Sequence, residues 1–137
     1  MVGLGPGARS YTRDLHYSSE YAVGQPGVRA IISAFSGADY SHASYGVRLD
    51  DAEQRRRYLL KSLLRAEGLD SARYRQRFGS DPRTDFPSLS ELADLGLARL
   101  EKERLALTEL GLAYTDTIGP WLYSEAVMAR MGEYELR

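Results

Sequence analysis

The apolar residues after Val47 leave helical spacing for one stretch beyond Gly96, and that interruption constrains what the chain can fold into. Up to Gly96 they recur at helical intervals. Leu59, Leu60, Leu63 and Leu64 form one stripe, opened by Asp50 and Glu53 at capping-box spacing and closed by Gly68. Asp70 is placed to cap a turn-rich second helix, in which Tyr74 and Phe78 stack at i, i+4 before Gly79. A third helix is predicted from about Arg83 to Leu95, burying Phe86, Leu89, Leu92 and Leu95, with Gly96 as its stop. Leu97-Ala98-Arg99-Leu100 and Arg104-Leu105-Ala106-Leu107 then alternate at period two around Glu101-Lys102-Glu103, which predicts a hairpin. Thr108 is a good cap for a helix running toward Ile118, broken by Gly119 and Pro120. Ser124 starts a last helix carrying Val127, Met128, Met131 and Tyr134.

Three helices, a hairpin and further helices is the element order of a winged helix. The predicted fold class is α+β and mostly helical, divided near Val47 into residues 1–47 and 48–137. Before the division, glycine, serine and tyrosine dominate. Pro26 and Gly27 open a short helix whose Val28, Ile31, Ile32 and Phe35 make one apolar face before Gly37. Tyr45, Val47 and Leu49 alternate as a short strand would.

The opening residues, Val2-Gly3-Leu4-Gly5-Pro6-Gly7-Ala8-Arg9-Ser10-Tyr11, read as a strand end entering a glycine-rich loop. Glycine lacks a Cβ and tolerates positive φ, so such a loop brings backbone close to a ligand. A strand needs neighbours, so the chain is expected to be the tail of a larger protein, starting inside its ligand-binding domain. Gly3-Leu4-Gly5-Pro6-Gly7-Ala8 formally satisfies a dinucleotide fingerprint, but that motif must open a helix. Arg9 to Glu20 has no helical apolar face, and no strand with a ribose-binding carboxylate follows, so the fingerprint is rejected.

Cysteine is absent, which excludes disulfides, a thiolate nucleophile and cysteine-held zinc or iron–sulfur centres within the chain. No run of eighteen apolar residues spans a membrane, and no secretory leader opens the chain. The net charge of −1 is unevenly spread, with ten basic against six acidic residues over 48–83 and five against ten over 84–137. The predicted third helix offers Asp85, Glu91 and Asp94 where a DNA-reading helix presents cations, so nucleic acid is not the expected partner. Arg55, Arg56, Arg57, Lys61, Arg65, Arg73, Arg75 and Arg77 lie instead on the first two helices, as a solvated face with Arg56 along the apolar seam. His16 and His42 stand in serine- and tyrosine-rich surroundings without metal-ligand spacing.

Taken together, these segments resemble a family. The loop from Gly3 to Tyr11 looks like the Gly-x-Gly-x-Gly-Ala-x-Ser segment near the end of the barrel in radical S-adenosylmethionine proteins of the oxygen-independent coproporphyrinogen III oxidase-like group. The stretch from Arg56 to Asp70 is similar to the first helix of that family's C-terminal domain, and Leu95 to Gly111 resembles its wing and next helix. The resemblance implies a barrel-edge strand and glycine loop followed by a winged-helix-like accessory domain. It also implies a parent protein with a [4Fe–4S] cluster on Cys-x-x-x-Cys-x-x-Cys, S-adenosylmethionine as cofactor, a tetrapyrrole substrate and a cytoplasmic setting. This chain has none of those cysteines, so no cofactor is expected to be held by it alone and no autonomous activity is expected.

By the same resemblance, Gly3, Gly5, Gly7 and Ala8 line the cofactor or substrate end of the barrel. Arg9, where the family commonly has histidine, pairs with a substrate carboxylate through its planar fork, or makes an ordinary salt bridge. Tyr11, with Tyr17, Tyr21, Tyr40 and Tyr45, walls the pocket or packs in a core. The expected partner is the parent's N-terminal barrel. A free-standing winged-helix interaction or DNA-binding regulatory protein is the competing class.

Overall fold

The computed structural model describes residues 1–18, 24–43 and 45–133. The chain is α+β, about half helical, with two small antiparallel sheets. It divides into two compact units, one over Met1–Gln54 and one over Arg55–Gly132.

In the first unit, β1 (Ser10–Tyr11), β2 (Leu15–Tyr17) and β3 (Gly46–Arg48) form a sheet in that order, with α1 (Gln25–Ser36) between β2 and β3 in sequence. Tyr11 pairs with His16 and His16 with Val47, so these three share one face. The Thr12 hydroxyl accepts from the Leu15 N–H at 3.0 Å and closes the β1–β2 turn. This hairpin was not visible in the sequence, because its strands are too short to show alternation. The strand end expected at Val2 is not a strand: residues 1–4 are irregular, and Val2 and Leu4 are exposed. They are tied to the sheet edge at Met1, whose carbonyl accepts from the Tyr11 N–H at 2.8 Å, and at Gly3, whose N–H donates to the Ser10 hydroxyl at 2.9 Å. Helix α1 carries its predicted apolar stripe, yet none of its residues is buried. Pro26 lies in its first turn, where the missing N–H costs nothing. The β3 strand is shorter than the predicted alternation, leaving Tyr45 and Leu49 outside it.

The second unit holds the core. Helix α2 (Asp51–Leu63) begins at Asp50, whose carboxylate accepts from the Glu53 N–H at 2.8 Å, as the capping spacing predicts. Its Leu59 and Leu63 are fully buried. A two-residue strand, β4 (Leu69–Asp70), precedes α3 (Ser71–Phe78), which is capped by Asp70 and stopped by Gly79 at φ 74°. The predicted third helix is two: α4 (Pro82–Asp85) and α5 (Leu89–Asp94). Pro87 explains the break, since the residue before a proline is driven out of the α region, and Phe86 has φ −135° and ψ 77°. The change of direction buries Phe86, Leu89 and Leu92 but leaves Leu95 exposed, contrary to expectation.

The hairpin forms as predicted from β5 (Ala98–Glu101) and β6 (Arg104–Leu107), and β4 adds a third strand beside β6. Beyond it, α6 (Glu109–Ala113), α7 (Thr115–Trp121) and α8 (Glu125–Gly132) follow. The helix predicted from Thr108 to Ile118 is interrupted at Tyr114, while Gly119 and Pro120 lie inside α7 instead of ending it. Pro120 removes one backbone donor from the last turn of α7. Tyr134, expected on the last helix, lies outside the described residues.

Thr108 and Gly111 fasten the hairpin to α6. The Thr108 hydroxyl accepts from the Gly111 N–H at 3.0 Å and donates to the Gly96 carbonyl at 2.8 Å. The Thr108 N–H donates to the Leu97 carbonyl at 2.9 Å. A Cβ on Gly111 would overlap that same Leu97 oxygen, so only glycine lets α6 approach so closely.

Candidate functional site

The glycine-rich segment builds a closed turn. The Ala8 N–H donates to the Gly5 carbonyl at 3.2 Å, with Pro6 at the second position and Gly7 at φ 74° at the third. That residue pattern is a type II turn, which needs positive φ where Gly7 stands. Gly5 also has positive φ, at 102°. Gly3 is required for a different reason: a Cβ there would lie 2.7 Å from the Arg9 carbonyl oxygen. Its N–H instead donates to the buried Ser10 hydroxyl at 2.9 Å. Gly5, Gly7 and Ala8 therefore share one turn, and Gly3 packs against the backbone just beyond it.

Arg9 follows the turn and is exposed. Tyr11 stacks on His16, ring centroids 4.3 Å apart at 22°. Tyr17 lies opposite Ser10, and the Tyr45 carbonyl accepts from the Ser18 N–H at 3.0 Å. Tyr40 belongs elsewhere, donating to the Phe35 carbonyl and resting edge-on against the Phe35 ring at the end of α1. Tyr21 lies outside the described residues. His42 sits 3.5 Å from Asp39 in an exposed loop. The Ser41 N–H and hydroxyl both bind Asp39 and hold its carboxyl below the ordinary range. Among the described residues no group of three or more side chains is arranged to hold a metal.

The polar centre of the second unit is Asp85. One of its oxygens accepts from the Tyr74 hydroxyl at 2.7 Å, the Ser80 hydroxyl at 2.5 Å and Arg55 Nη1 at 3.0 Å. Burial alone would raise the Asp85 carboxyl, but these three donors outweigh it and lower it below its usual value. Burial, then the bond to Asp85, pushes the Tyr74 hydroxyl far up, so it stays protonated and donating. Apolar spacing alone puts Asp85, Glu91 and Asp94 on one helix as three carboxylates. The break at Pro87 turns Asp85 inward to this network, and Pro87 itself was the available signal. Arg56 does lie along the apolar seam, over the Phe86 ring and donating to the Leu122 carbonyl at 2.6 Å. Arg75 bridges Asp81 and Glu103, and Arg77 lies over the Tyr58 and Phe78 rings. Much of the basic excess of the first two helices is thus spent inside the unit.

On the hairpin side, Ala66, Glu67, Arg99, Glu101, Arg104 and Ala106 line an open groove of about 380 Å³. Two of them are joined, Arg104 donating to the Glu67 carbonyl at 2.7 Å.

Residues 49–114 match the family model of the HemN C-terminal domain. The match covers 66 of the 137 residues, just under half of the chain. It carries the resemblance to the C-terminal part of a HemN-like radical S-adenosylmethionine protein, and contains both downstream segments, Arg56–Asp70 and Leu95–Gly111, on which that resemblance was read. The glycine-rich turn lies outside the match. No curated protein and no solved structure matched the chain. No helix among the described residues is long and apolar enough to cross a membrane.

Proposed function

We propose that this chain is the substrate-side, C-terminal segment of a HemN-like radical S-adenosylmethionine enzyme. The observation that carries the reading is the match of residues 49–114 to the HemN C-terminal domain model, preceded by a turn whose glycines the backbone requires. In this reading the first unit is the edge of the catalytic barrel. Its turn at Gly3, Gly5, Gly7 and Ala8 adds backbone to the wall at the S-adenosylmethionine or substrate end. The exposed Arg9 guanidinium meets a substrate carboxylate, and Tyr11 flanks it from β1. The second unit is a winged-helix-like lid over the substrate, with α2, α3 and the broken α4–α5 pair followed by the β5–β6 wing.

The residues present do not fit the iron–sulfur cluster of such an enzyme, because the chain has no cysteine. Cluster ligands and radical generation belong to the parent's barrel, the partner of this segment, in a cytoplasmic setting. What this chain supplies is binding and enclosure. A propionate-bearing tetrapyrrole fits the resemblance and gives Arg9 its counterpart. The competing class, a free-standing winged-helix regulator, has no observation in its favour.

Reading the gene upstream of the Val2 codon tests the proposal. An in-frame extension carrying Cys-x-x-x-Cys-x-x-Cys is expected, and an in-frame stop codon there overturns it. In the extended protein, Arg9→Ala is expected to weaken tetrapyrrole binding by roughly tenfold, the scale of one charge-assisted hydrogen bond. Unchanged affinity removes Arg9 from the site.

A further inference from the structure

The sheet of the second unit runs β4-β6-β5, so among the described residues β5 is an open edge. Its outward backbone groups can be identified from its neighbours. The Glu103 carbonyl accepts from the Ser71 N–H on the β4 side, so odd-numbered residues of β6 bond toward β4 and even-numbered ones toward β5. Thr108 donating to the Leu97 carbonyl has the same parity, which makes Arg99–Ala106 and Glu101–Arg104 the bonded pairs. The N–H and C=O of Leu100 therefore point away from the sheet. Its side chain lies on the face of Ala98, Leu105 and Leu107, which are 5% exposed, while Leu100 itself is 42% exposed at the rim.

We infer that β5 is a self-complementary docking edge, and that a second copy of this chain pairs with it antiparallel about Leu100. A two-fold axis through Leu100 lets the two Leu100 residues exchange both backbone hydrogen bonds and covers both exposed side chains. The same axis sets Arg99 of each copy opposite Glu101 of the other, giving two cross-strand pairs of opposite charge. Charges on an edge strand normally repel a second strand. Here they have opposite signs at positions the axis exchanges, so they select this register. Within one chain Arg99 Nε and Glu101 are 3.8 Å apart on exposed side chains, a loose contact that is easily traded for a partner. Both residues line the hairpin groove, which pairing would join to its counterpart. The contact is small, so the association is weak and concentration-dependent.

Sedimentation equilibrium of the whole 137-residue chain, from micromolar to millimolar, tests this. The parent is expected to show a rising average mass. Arg99→Glu alone and Glu101→Arg alone each set like charges face to face, and each should lower association at least tenfold. An equimolar mixture of those two variants restores both attractive pairs and should associate like the parent. A parent that stays monomeric at millimolar concentration overturns the inference. So does association that Arg99→Glu leaves unchanged, or a mixture that fails to recover. Both substitutions are on exposed side chains, and circular dichroism of each variant checks that it folds.

Discussion

The two units read alike in sequence and differ in what they bury. Each has an apolar stripe at helical spacing, Val28, Ile31, Ile32 and Phe35 in one and Leu59, Leu60, Leu63 and Leu64 in the other. The second stripe meets strands and helices and becomes the centre of a core, with Leu59 and Leu63 fully buried. In the first, Phe35 meets the Tyr40 ring but no residue is buried, and Val28 and Ile32 are 45% and 50% exposed. Hydrophobic stabilisation scales with area removed from water, so an equal pattern gives unequal energy. The first unit is held by turns and strand pairing, the second by close packing. A periodic stripe thus predicts a helix and the face it would bury, and leaves open what covers that face.

The most severe way to probe the packed unit is Gly111→Ala. The added Cβ falls on the Leu97 carbonyl, which is itself fixed by the Thr108 N–H. Neither side can yield without separating α6 from β5. A loss of about 4 kcal/mol or more is expected, among the largest for a single change. Urea unfolding followed by circular dichroism measures it, and a loss under 1 kcal/mol would mean the close approach does not exist. Leu63→Ala comes next. It empties a fully buried site and should cost about 3 kcal/mol in the same assay.

The elements legible in the sequence were those whose signals are local. Asp50, Asp70 and Thr108 all cap where their spacing placed them, and the period-two hairpin forms with Glu101 in β5 instead of in the turn. What escaped depends on non-local partners. Strand β4 is two residues long and exists because β6 lies beside it, and β1 and β2 are equally short. Pro87 and Tyr114 divide two helices that apolar spacing alone would join, although Pro87 is itself a breaker legible in the sequence. For the candidate site, the glycines were legible because Gly3, Gly5 and Gly7 have backbone reasons to be glycine. The Tyr74–Asp85–Arg55 cluster was not, since its members meet only after the chain turns at Pro87.

Acid bears on both units, since hydrogen bonds lower the carboxyl of Asp39 in the first and three carboxyls in the second. The carboxyls of Asp70, Asp81 and Asp85 are all held below their ordinary value of 3.8. At Asp70 and Asp81 the first cause is a backbone N–H, from Arg73 and Arg83; at Asp85 burial opposes the shift and the side-chain donors overcome it. A depressed folded value means the native state binds fewer protons than the unfolded chain. Their contribution is therefore complete above pH 3.8 and is lost as pH falls through the lowered values. Asp85→Asn should cost about 2 kcal/mol at neutral pH, the scale of a hydrogen bond to a charged group. The gap to the parent should narrow in unfolding curves taken below pH 3.8, and a gap constant with pH would exclude the charge as its source. Thr108→Ala is smaller, about 1 kcal/mol for a lost cap, and independent of acid.

The smallest expected effect is the most direct challenge to the comparison. Ile32 belongs to the stripe of α1 and is half exposed, so Ile32→Ser removes little buried area and leaves no cavity. Serine is a slightly different helix former from isoleucine, and that alone is worth a few tenths of a kcal/mol. A change within about 0.5 kcal/mol is expected, against several-fold more for Leu63→Ala at the matching position of α2. Run side by side, the two variants turn an observation about exposure into a ratio of energies. Should Ile32→Ser instead cost as much as Leu63→Ala, the α1 stripe would have to be covered in solution. The first unit would then possess a core of its own, and the contrast between a patterned face and a packed one would collapse.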